Sequence, residues 1–580
     1  MILGLILGVA SALSLVSYSM DYAPDTLTHI SKTGLEKNWY KSAVFYHIYL
    51  RSFKDSNNDG IGDLPGLISK LDYLSDTLGI DAIWLSPIHP SPNSDFGYDV
   101  SDYYNIHPDF GTLEDFQKLL CECQKRNIKI LLDLVVNHTS EKHPWFLESK
   151  KSIHNPKRNW YIWQSGPHHG QTPPNNWQAR PAGGGSSWKY DALTDQWYLH
   201  SFLESQPDIN WHNQEVKNEI KNIMKYWLNM GIGGFRLDIA NYYLKDKLFR
   251  NNPSPLLKSL VCGACLGYEY QAQEHIYDKN SAELIDIFRM MRKIADTYNA
   301  VLIGEIDDEE GHLGNTFMSA RAYGPKNDGL HMAFNFDLMN AVDDASRLHN
   351  TIKNWYAKLP KDAQPVCALS NHDKERLISR VGNNIHKAKL LALYQLSSNA
   401  TPVIYYGDEI GMKHADINPR DQKDPLYAMS PSIIKFFMKN RDGARTPMQW
   451  DSAHNAGFSS EQSSLWLPIN SDADFCNVQT QLKHDNSLLI FYKNLINLRK
   501  KHIALHAGKF SFLLDTTGSN MLIFQRYHEH DIFIIIMNFS ENKQEIKLDK
   551  AYSSLISTHN KIYNNKTCIK LEAFEGIIIK

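Results

Sequence analysis

The sequence predicts an α/β protein whose main domain is a closed (β/α)8 barrel of the TIM type, with an inserted lid subdomain and a C-terminal antiparallel β-sandwich domain. Strand-like runs alternate with amphipathic helical windows from about residue 43 onwards. Eight such strands over roughly 440 residues match a closed parallel barrel better than an open doubly wound sheet. Three runs end on a carboxylate, at Asp238, Glu305 and Asp373. Charge is therefore expected at the C-terminal rim, where barrel enzymes build their active sites.

Each element is predicted from its hydrophobic period. The predicted strands span 43–53, 81–88, 128–138, 234–238, 301–306, 330–338, 365–373 and 401–408. The predicted helices lie between them, around 66–79, 112–127, 213–231, 281–299, 339–358 and 384–399. The clearest helix covers 214–230, where apolar residues recur at 216, 220, 223, 224, 227 and 228, as one face of a helix requires.

Two breaks in this rhythm define the other domains. The stretch 139–211 is rich in Trp, Pro, His, Asn and Gly and is too long for an ordinary loop, so we predict an inserted domain B. The catalytic barrel, domain A, is then expected at 39–138 and 212–502. Alternating β-branched runs follow a last helix near 487–501, which predicts a C-terminal β-domain C over 503–580.

Composition limits the classes of partner. The chain has 580 residues, of which 42% are hydrophobic and 22% charged, as expected for a folded globular protein. Its net charge of −3 and the lack of a long basic run predict no nucleic-acid partner. Seven cysteines without a regular spacing predict no disulfide framework and favour a reducing compartment. The sequence leaves the oligomeric state open.

The N-terminus points the other way on compartment. Residues 2–16 are almost entirely apolar and the small residues at 17–19 suit a cleavage site, so 1–19 is a candidate signal peptide. No basic residue precedes the run, and the run is short for a membrane span. A cleaved signal, an uncleaved anchor and a misassigned start before Met20 all stay open. The protein is accordingly cytoplasmic or exported, and no other segment is expected to cross a membrane.

Asp238, Glu305 and Asp373 suit the cleavage of a glycosidic bond. One carboxylate can attack the sugar, a second can protonate the leaving oxygen, and a third can stabilise the cationic transition state. The alternative is that each acid caps the helix that follows its strand, which explains any single acid equally well. All three together favour a catalytic cleft.

A second motif is independent of catalysis. Oxygen-bearing residues alternate along one short loop, with Gly60 supplying a tight turn, as in calcium loops. We predict a structural Ca²⁺ or Mg²⁺ held by Asp55, Asn57, Asp59, the Ile61 carbonyl and Asp63. The distal Glu of a full EF-hand is missing, because position 66 is Gly. A solvated turn is the alternative.

Six motifs in order resemble the α-amylase family of glycoside hydrolases. They are Asp133-Leu-Val-Val-Asn137-His138, Gln206-Pro-Asp-Ile-Asn210, Gly234-Phe-Arg236-Leu-Asp238, Gly304-Glu305, Asn371-His372-Asp373 and Arg441-Asp-Gly-Ala-Arg-Thr-Pro-Met-Gln-Trp450. The match runs from about residue 39 to at least residue 498 and is similar to the oligo-1,6-glucosidase and α-glucosidase branch. The runs at 237–243, 275–279 and 330–334 resemble bacterial α-glucosidases acting on maltose-like sugars.

The resemblance implies three catalytic roles. Asp238 is the implied nucleophile, Glu305 the acid/base and Asp373 the transition-state stabiliser. Arg236 precedes Asp238 by two residues, so both side chains should lie on the same face of the strand. We expect this cation to keep Asp238 ionised, and the nearby carboxylates to keep Glu305 protonated. A plain salt bridge remains an alternative role for Arg236.

The resemblance also implies sugar-binding residues. Asp95 and Tyr98 resemble the pair that holds the terminal glucose, and Arg441 resembles the arginine at the closed end of the pocket. The remaining implied contacts are His138, Phe202 and His372. Taken alone, Phe202 and the two histidines are equally compatible with an ordinary core.

The implied activity is that of a retaining exo-α-glucosidase acting on maltose-like disaccharides and short oligosaccharides, so the expected partners are small α-glucosides. Ile239 follows the implied nucleophile, where valine accompanies α-1,6 cleavage and alanine or threonine accompanies α-1,4 cleavage in the resembled branch. An oligo-1,6-glucosidase is therefore the alternative. A non-catalytic transporter subunit is a further alternative, but it calls for a full-length span and usually lacks the three acids.

Overall fold

The structure is a computed structural model that describes residues 36–167, 170–180, 185–255, 270–308, 314–430, 435, 439–513 and 518–580. The candidate signal peptide at 1–19 lies outside the described residues. Within these ranges, no helix is both long enough and apolar enough to cross a membrane.

Eight of the eighteen strands in the described residues are parallel and form the central sheet. In chain order the strands are β1 (Phe45–Ile48), β2 (Ala82–Leu85), β3 (Lys129–Leu134), β4 (Trp163–Gln164), β5 (Trp188–Asp191), β6 (Gln196–Leu199), β7 (Gly234–Leu237), β8 (Val301–Gly304), β9 (Met332–Ala333), β10 (Val366–Ala368), β11 (Thr401–Tyr405), β12 (Lys509–Phe512), β13 (Met521–His528), β14 (Asp531–Asn538), β15 (Gln544–Tyr552), β16 (Ser554–Ser557), β17 (Lys566–Leu571) and β18 (Gly576–Ile579). The sheet order is β10-β11-β1-β2-β3-β7-β8-β9, a near-closed barrel. This confirms the predicted fold class.

Helices connect the barrel strands and cover the sheet. The α-helices are Leu64–Ile68, Leu113–Lys125, Pro144–Lys151, Gln214–Asn229, Leu284–Thr297, Asn315–Ala322, Phe336–Asn340, Ala345–Lys358, Leu377–Arg380, Ile385–Ser397, Pro425–Met429, Val478–Leu482, Leu488–Lys501 and Ile503–His506. Short 3₁₀ turns at Ala240–Tyr242 and Arg441–Ala444 are the ones that border the site described below. The helix Gln214–Asn229 buries Val216, Ile220, Ile223, Met224, Trp227 and Leu228, as its sequence period predicts.

The barrel strands are apolar because both of their faces are buried. All four residues of β1 and of β2 are buried, as expected for parallel strands between two apolar layers. Phe45, Trp84, Leu131, Ile303 and Val403 belong to one cluster, with side chains from five strands of the sheet. The barrel interior is thus largely a packed apolar core, although Asp133 in β3 and Arg236 in β7 are also buried.

One predicted strand is largely wrong. The run 330–338 was expected to be a strand, but only Met332–Ala333 pairs with β8. The Asn335 side chain accepts hydrogen bonds from the backbone N–H groups of Asp337 and Leu338, and a helix begins at Phe336. An N-cap asparagine thus overrides the apolar pattern.

Separate sheets form in the ranges predicted for the other two domains. Strands β4, β6 and β5 make a three-stranded antiparallel sheet within 139–211. In the C-terminal region, β12-β13-β14-β18-β16 form a five-stranded sheet and β15-β17 a two-stranded one. Side chains of both C-terminal sheets, including Ile536 and Ile569, share one apolar cluster. The C-terminal strands are therefore two antiparallel layers around a common core.

Candidate active site

The three predicted catalytic acids line one cavity at the C-terminal rim of the barrel. Asp238 directly follows β7, Glu305 directly follows β8, and Asp373 lies shortly after β10. Their cavity has a volume of about 290 Å³. Since parallel strands all end at the same rim, three distant positions in the sequence meet in one cleft.

Arg236 lies beneath the cavity and joins three carboxylates. Its Nη1 donates to Asp133 Oδ1 and to Asp238 Oδ1, both at 2.7 Å, and its Nη2 donates to Glu305 Oε2 at 2.6 Å. Arg236 is only 1% exposed. The predicted contact between Arg236 and Asp238 is present, but the same cation also serves two other acids.

This crowding affects protonation. Burial raises the pKa of Asp238 well above its usual range; Arg236 lowers it, while Glu305 and Asp133 raise it further. Burial likewise raises the pKa of Asp133 to about 6, against the effect of Arg236. Three buried carboxylates around one guanidinium carry more negative charge than the cation balances, so the cluster favours retaining a proton. The expectation that Arg236 keeps Asp238 ionised did not account for the two other acids that share this cation.

Asp373 has the opposite environment. Burial raises its pKa, but His372, Arg441 and Arg445 together lower the pKa of Asp373 well below its usual range. Arg441 Nη1 and Arg445 Nη2 donate to Asp373 Oδ1 at 3.1 and 2.9 Å. Asp373 thus stays ionised beside two acids, Asp133 and Asp238, whose pKa is raised. That difference suits a charge stabiliser next to an acid/base pair.

An ion cluster of Asp95, Asp424 and Arg441 lines part of the cavity. Arg441 Nη2 donates to Asp424 Oδ1 at 2.6 Å and to Asp95 Oδ1 at 3.1 Å. Burial raises the pKa of Asp95 to about 6, although Arg441 lowers it. Asp424 differs because its coupling to Arg441 outweighs burial and lowers its pKa to about 2.

The other predicted sugar contacts also line the cavity. The rings of Tyr98 and His372 are stacked with centroids 5.3 Å apart, and Tyr98 Oη lies 2.7 Å from His372 Nε2. His138 Nε2 lies 2.9 Å from the Tyr98 carbonyl oxygen. Phe202 packs at 5.6 Å from the His138 ring. Burial lowers the pKa of both histidines, against the opposing effects of Asp208 on His138 and of Asp373 on His372.

A family model described as the catalytic domain of alpha amylase matches residues 47–508. The chain belongs to the alpha-amylase family. An oligo-1,6-glucosidase of Parageobacillus thermoglucosidasius is 36% identical over 547 residues, covering 89% of this chain and 92% of that protein. A probable alpha-glucosidase of Rhizobium meliloti is 38% identical over 517 residues, with coverages of 87% and 90%. The solved structure of the alpha-glucosyl transfer enzyme XgtA is 34% identical with a TM-score of 0.84, and the coverages are 94% and 99%.

The family assignment confirms the resemblance seen in the six motifs. This alpha-amylase-family chain is a glycoside hydrolase, with a barrel whose rim carries the three acids. A larger cavity of about 530 Å³ lies between the helices Leu284–Thr297 and Asn315–Ala322. The described lining of that cavity holds Arg321 and Lys358 but no carboxylate, so it lacks the groups that the family's chemistry requires.

Sequence reasoning missed several residues of this alpha-amylase-family site. Asp133 and Arg445 lie inside quoted motifs but were given no role, although a buried charge in a motif is a usable signal. Asp307 follows Glu305 closely and lines the cavity, where it forms an ion pair with Arg180 of the inserted region. Asp424 lies in none of the six quoted motifs, and its ion pair with Arg441 forms only in the folded structure.

The predicted metal loop is ordered by its own hydrogen bonds. Asp55 accepts from the backbone N–H groups of Asn57, Asn58 and Gly60 at 3.0, 2.7 and 2.8 Å. Asn57 Nδ2 donates to Asp59 Oδ2 at 2.9 Å. Within the described ranges, no group of three or more His, Cys, Asp or Glu side chains is arranged to hold a metal ion. The predicted metal-ligand atoms are all oxygens, which a hard cation prefers. The structure shows the loop held by hydrogen bonds from amide groups to these oxygens.

Asp63 has a second structural duty. Its Oδ1 accepts from the Gly66 N–H at 2.6 Å and caps the helix Leu64–Ile68. Its Oδ2 accepts from the Ser56 N–H at 2.9 Å. A cation at this loop would therefore share Asp63 with a helix cap.

Proposed function

We propose that the protein is a retaining, exo-acting α-glucosidase that hydrolyses terminal α-linked glucose from maltose-like disaccharides and short oligosaccharides. The observation that carries this proposal is the single cavity in which Asp238, Glu305 and Asp373 meet, and which the ion cluster around Arg441 also lines. The names of the relatives reported above support α-glucosides as the substrate class. Three acids in one cleft speak against the non-catalytic alternative.

Asp238 is the proposed nucleophile. Its Oδ1 is held by Arg236, which leaves Oδ2 to attack the anomeric carbon. The bond between that carbon and the glycosidic oxygen breaks, and the leaving oxygen takes a proton from Glu305. Asp373 is anionic and stabilises the positive charge that develops on the sugar ring.

The second step regenerates the free acids. Glu305, now ionised, removes a proton from water, and the water oxygen bonds to the anomeric carbon. The ester bond to Asp238 breaks, and glucose leaves with its original anomeric configuration. Two inversions at one carbon give net retention.

Exo action is proposed because an ion network lines part of the cavity. Arg441 bonds Asp95, Asp373 and Asp424, and this network would block a sugar chain from running through the pocket. The cavity of about 290 Å³ is at the small end of the range for small-molecule sites, about 300–1,000 Å³. A terminal sugar fits such a pocket better than the middle of a long chain.

An oligo-1,6-glucosidase is the second candidate. Ile239 lines the cavity directly after the nucleophile, and its β-branched shape is shared with the valine that accompanies α-1,6 cleavage in the resembled branch. One methylene in a pocket changes the discrimination between substrates by only about 1–3 kcal/mol, so Ile239 can bias the linkage preference without fixing it. We favour α-1,4 bonds because the runs at 237–243, 275–279 and 330–334 resemble enzymes acting on maltose-like sugars.

For the loop around Gly60, we propose a structural Ca²⁺ or Mg²⁺ held by oxygens of Asp55, Asn57, Asp59 and Asp63 and by the Ile61 carbonyl. The alternation of oxygen donors supports this proposal. The ion would bridge the side-chain oxygens that accept hydrogen bonds from the loop amides. Its contribution would be to stability, since the loop supplies no residue to the catalytic cavity described above.

The stereochemistry of the first product tests the catalytic proposal. Proton NMR during early turnover of maltose should show α-glucose appearing before mutarotation produces the β-anomer. An inverting enzyme would release β-glucose first, and that result would overturn the assignment of Asp238 as a nucleophile.

A further inference from the structure

The acid/base Glu305 is held by the chain segment that follows the nucleophile. The Ile239 N–H donates to Glu305 Oε2 at 3.0 Å. The next residue, Ala240, donates its N–H to the Glu305 carbonyl oxygen at 2.8 Å. The position of the acid therefore depends on the backbone at 239–240 as well as on its own strand β8.

The backbone of Ile239 is in a conformation that β-branched residues rarely adopt. Its φ is 34° and its ψ is 48°, in the left-handed region. An isoleucine resists this conformation because its branched side chain crowds the neighbouring peptide groups. The surrounding structure must therefore hold Ile239 in place.

Asn241 supplies that hold. Its Nδ2 donates to the Asp307 carbonyl oxygen at 2.9 Å, and its Oδ1 accepts from the Asp307 N–H at 3.0 Å. The carboxamide thus pairs with both backbone groups of one residue just beyond Glu305. Its Nδ2 also donates to Asn280 Oδ1 at 2.9 Å, and Asn280 in turn donates to Asp308 Oδ1 at 2.9 Å. Asn241 is 1% exposed, which limits the competition of water for these bonds.

We propose that Asn241 is a positioning residue for the acid/base Glu305. By joining the segment after Asp238 to the segment after Glu305, it keeps the strained Ile239 N–H directed at Glu305 Oε2. Arg236 Nη2 occupies the same oxygen, so Oε1 is left to carry the proton that the leaving group receives. This inference rests on the function proposed above and adds a residue that does not touch the substrate.

The experiment compares two substrates that differ in their need for an acid. Maltose requires protonation of a poor leaving group, whereas fluoride leaves from α-glucosyl fluoride with little help. For Asn241→Ala we expect kcat/KM for maltose to fall about a hundredfold, the cost of a small misplacement of a catalytic group. The value for α-glucosyl fluoride should change by less than about threefold, because Asp238 and its attack are untouched.

Asn252→Ala is the matched control. Asn252 is also buried and also bridges loops, with its Oδ1 accepting from the Tyr277 N–H at 3.1 Å, but it lies outside both catalytic segments. We expect a comparable loss of melting temperature and an unchanged ratio of the two kcat/KM values. If Asn241→Ala does not fold, Asn241→Ser takes its place, since serine cannot pair with both backbone groups of Asp307.

The failure of the Asn241 role and the failure of the proposed α-glucosidase function give different results. If wild type turns over both substrates and the Asn241 variant loses them equally, Asn241 is a purely structural residue and the inference is wrong. If wild type turns over neither substrate, the proposed α-glucosidase function itself fails. A selective loss on maltose supports the positioning role.

Discussion

Arg441 Nη1 lies 3.1 Å from Asp373 Oδ1, so the arginine proposed to close the end of the pocket also bonds one of the three acids. Asp424 holds the other side of the same guanidinium through two bonds, from Nε to Oδ2 at 3.0 Å and from Nη2 to Oδ1 at 2.6 Å. The geometry of the closed end and the charge state of Asp373 are therefore coupled through one side chain. A substitution of Asp424 should therefore lower the rate of catalysis, although Asp424 does not contact a reacting atom.

We predict that Asp424→Asn lowers kcat/KM for maltose about tenfold to a hundredfold. The amide cannot accept both bonds from Arg441, and breaking a bidentate charged pair costs about 1.5–3 kcal/mol. Steady-state kinetics measure the loss. Asp421→Asn, an exposed carboxylate in the same loop, is the control and should be neutral. Equal activity of the two variants would contradict the role of Asp424.

Asp238→Asn should abolish turnover while the fold survives. An amide oxygen is a poor nucleophile and cannot form the glycosyl ester, and loss of a covalent nucleophile costs about 10⁴-fold or more. Melting curves verify folding, and maltose hydrolysis gives the rate. Asp246→Asn, which changes a carboxylate paired with Arg250 outside the cavity, should stay active. If the folded Asp238→Asn enzyme hydrolysed maltose at nearly the wild-type rate, the assignment of Asp238 as the nucleophile would be wrong.

Chelation should lower the melting temperature if the loop at 55–63 binds a metal. Added Ca²⁺ or Mg²⁺ should restore it by mass action, since the ion binds only the folded state. Asp59 is exposed, so Asp59→Ala should remove the response at little cost to the metal-free protein. An unchanged melting curve after exhaustive chelation, with no metal found in the protein, favours the solvated turn.

We predict a higher kcat/KM for maltose than for isomaltose. Ile239→Val should shift the ratio toward isomaltose by at most about a hundredfold, because a single methylene changes discrimination by about 1–3 kcal/mol. Valine is also β-branched, so the substitution keeps the strained backbone and tests side-chain size alone. If wild type cleaves isomaltose roughly tenfold better, a gap of about 1.4 kcal/mol, the enzyme is an oligo-1,6-glucosidase.

Glu409 should make folding stability depend on pH. Burial raises the pKa of this fully buried carboxyl to about 7, although Tyr46 and Tyr73 donate hydrogen bonds to its Oε1 at 2.8 and 2.7 Å. A raised folded-state pKa means that stability is fully present below the unfolded pKa, about 4.3, and is lost as pH rises through about 7.

Glu409→Gln should remove up to about 3 kcal/mol of that loss between pH 5 and pH 8, because the amide does not ionise. Chemical unfolding at the two pH values measures the difference. Burial also raises the pKa of Asp408, to about 6, so a smaller dependence should remain. A Gln variant that loses as much stability as wild type would show that Glu409 is not the responsible group.

Local sequence patterns determine the positions of most barrel strands and of the acids at their ends. Buried parallel strands must be apolar on both faces, so the barrel runs and the acids at their ends could be predicted from pattern alone. Motif spacing then brought Asp238, Glu305 and Asp373 together, since strand ends share one rim. The strand expected at 330–338 failed because the Asn335 cap is a local interaction that the apolar period does not record.

Only the tertiary structure decided how the charges are shared. The sequence paired Arg236 with Asp238, but the fold also brings Asp133 and Glu305 to that guanidinium, and burial together with their repulsion raises the pKa of Asp238. Asp424 meets Arg441, and Asn241 meets the backbone of Asp307, through contacts between separate loops. Loop sequences have no hydrophobic period from which such contacts could be predicted. The pKa of a buried acid depends on its distance to side chains far apart in sequence, so these contacts and pKa shifts are set only when the barrel closes.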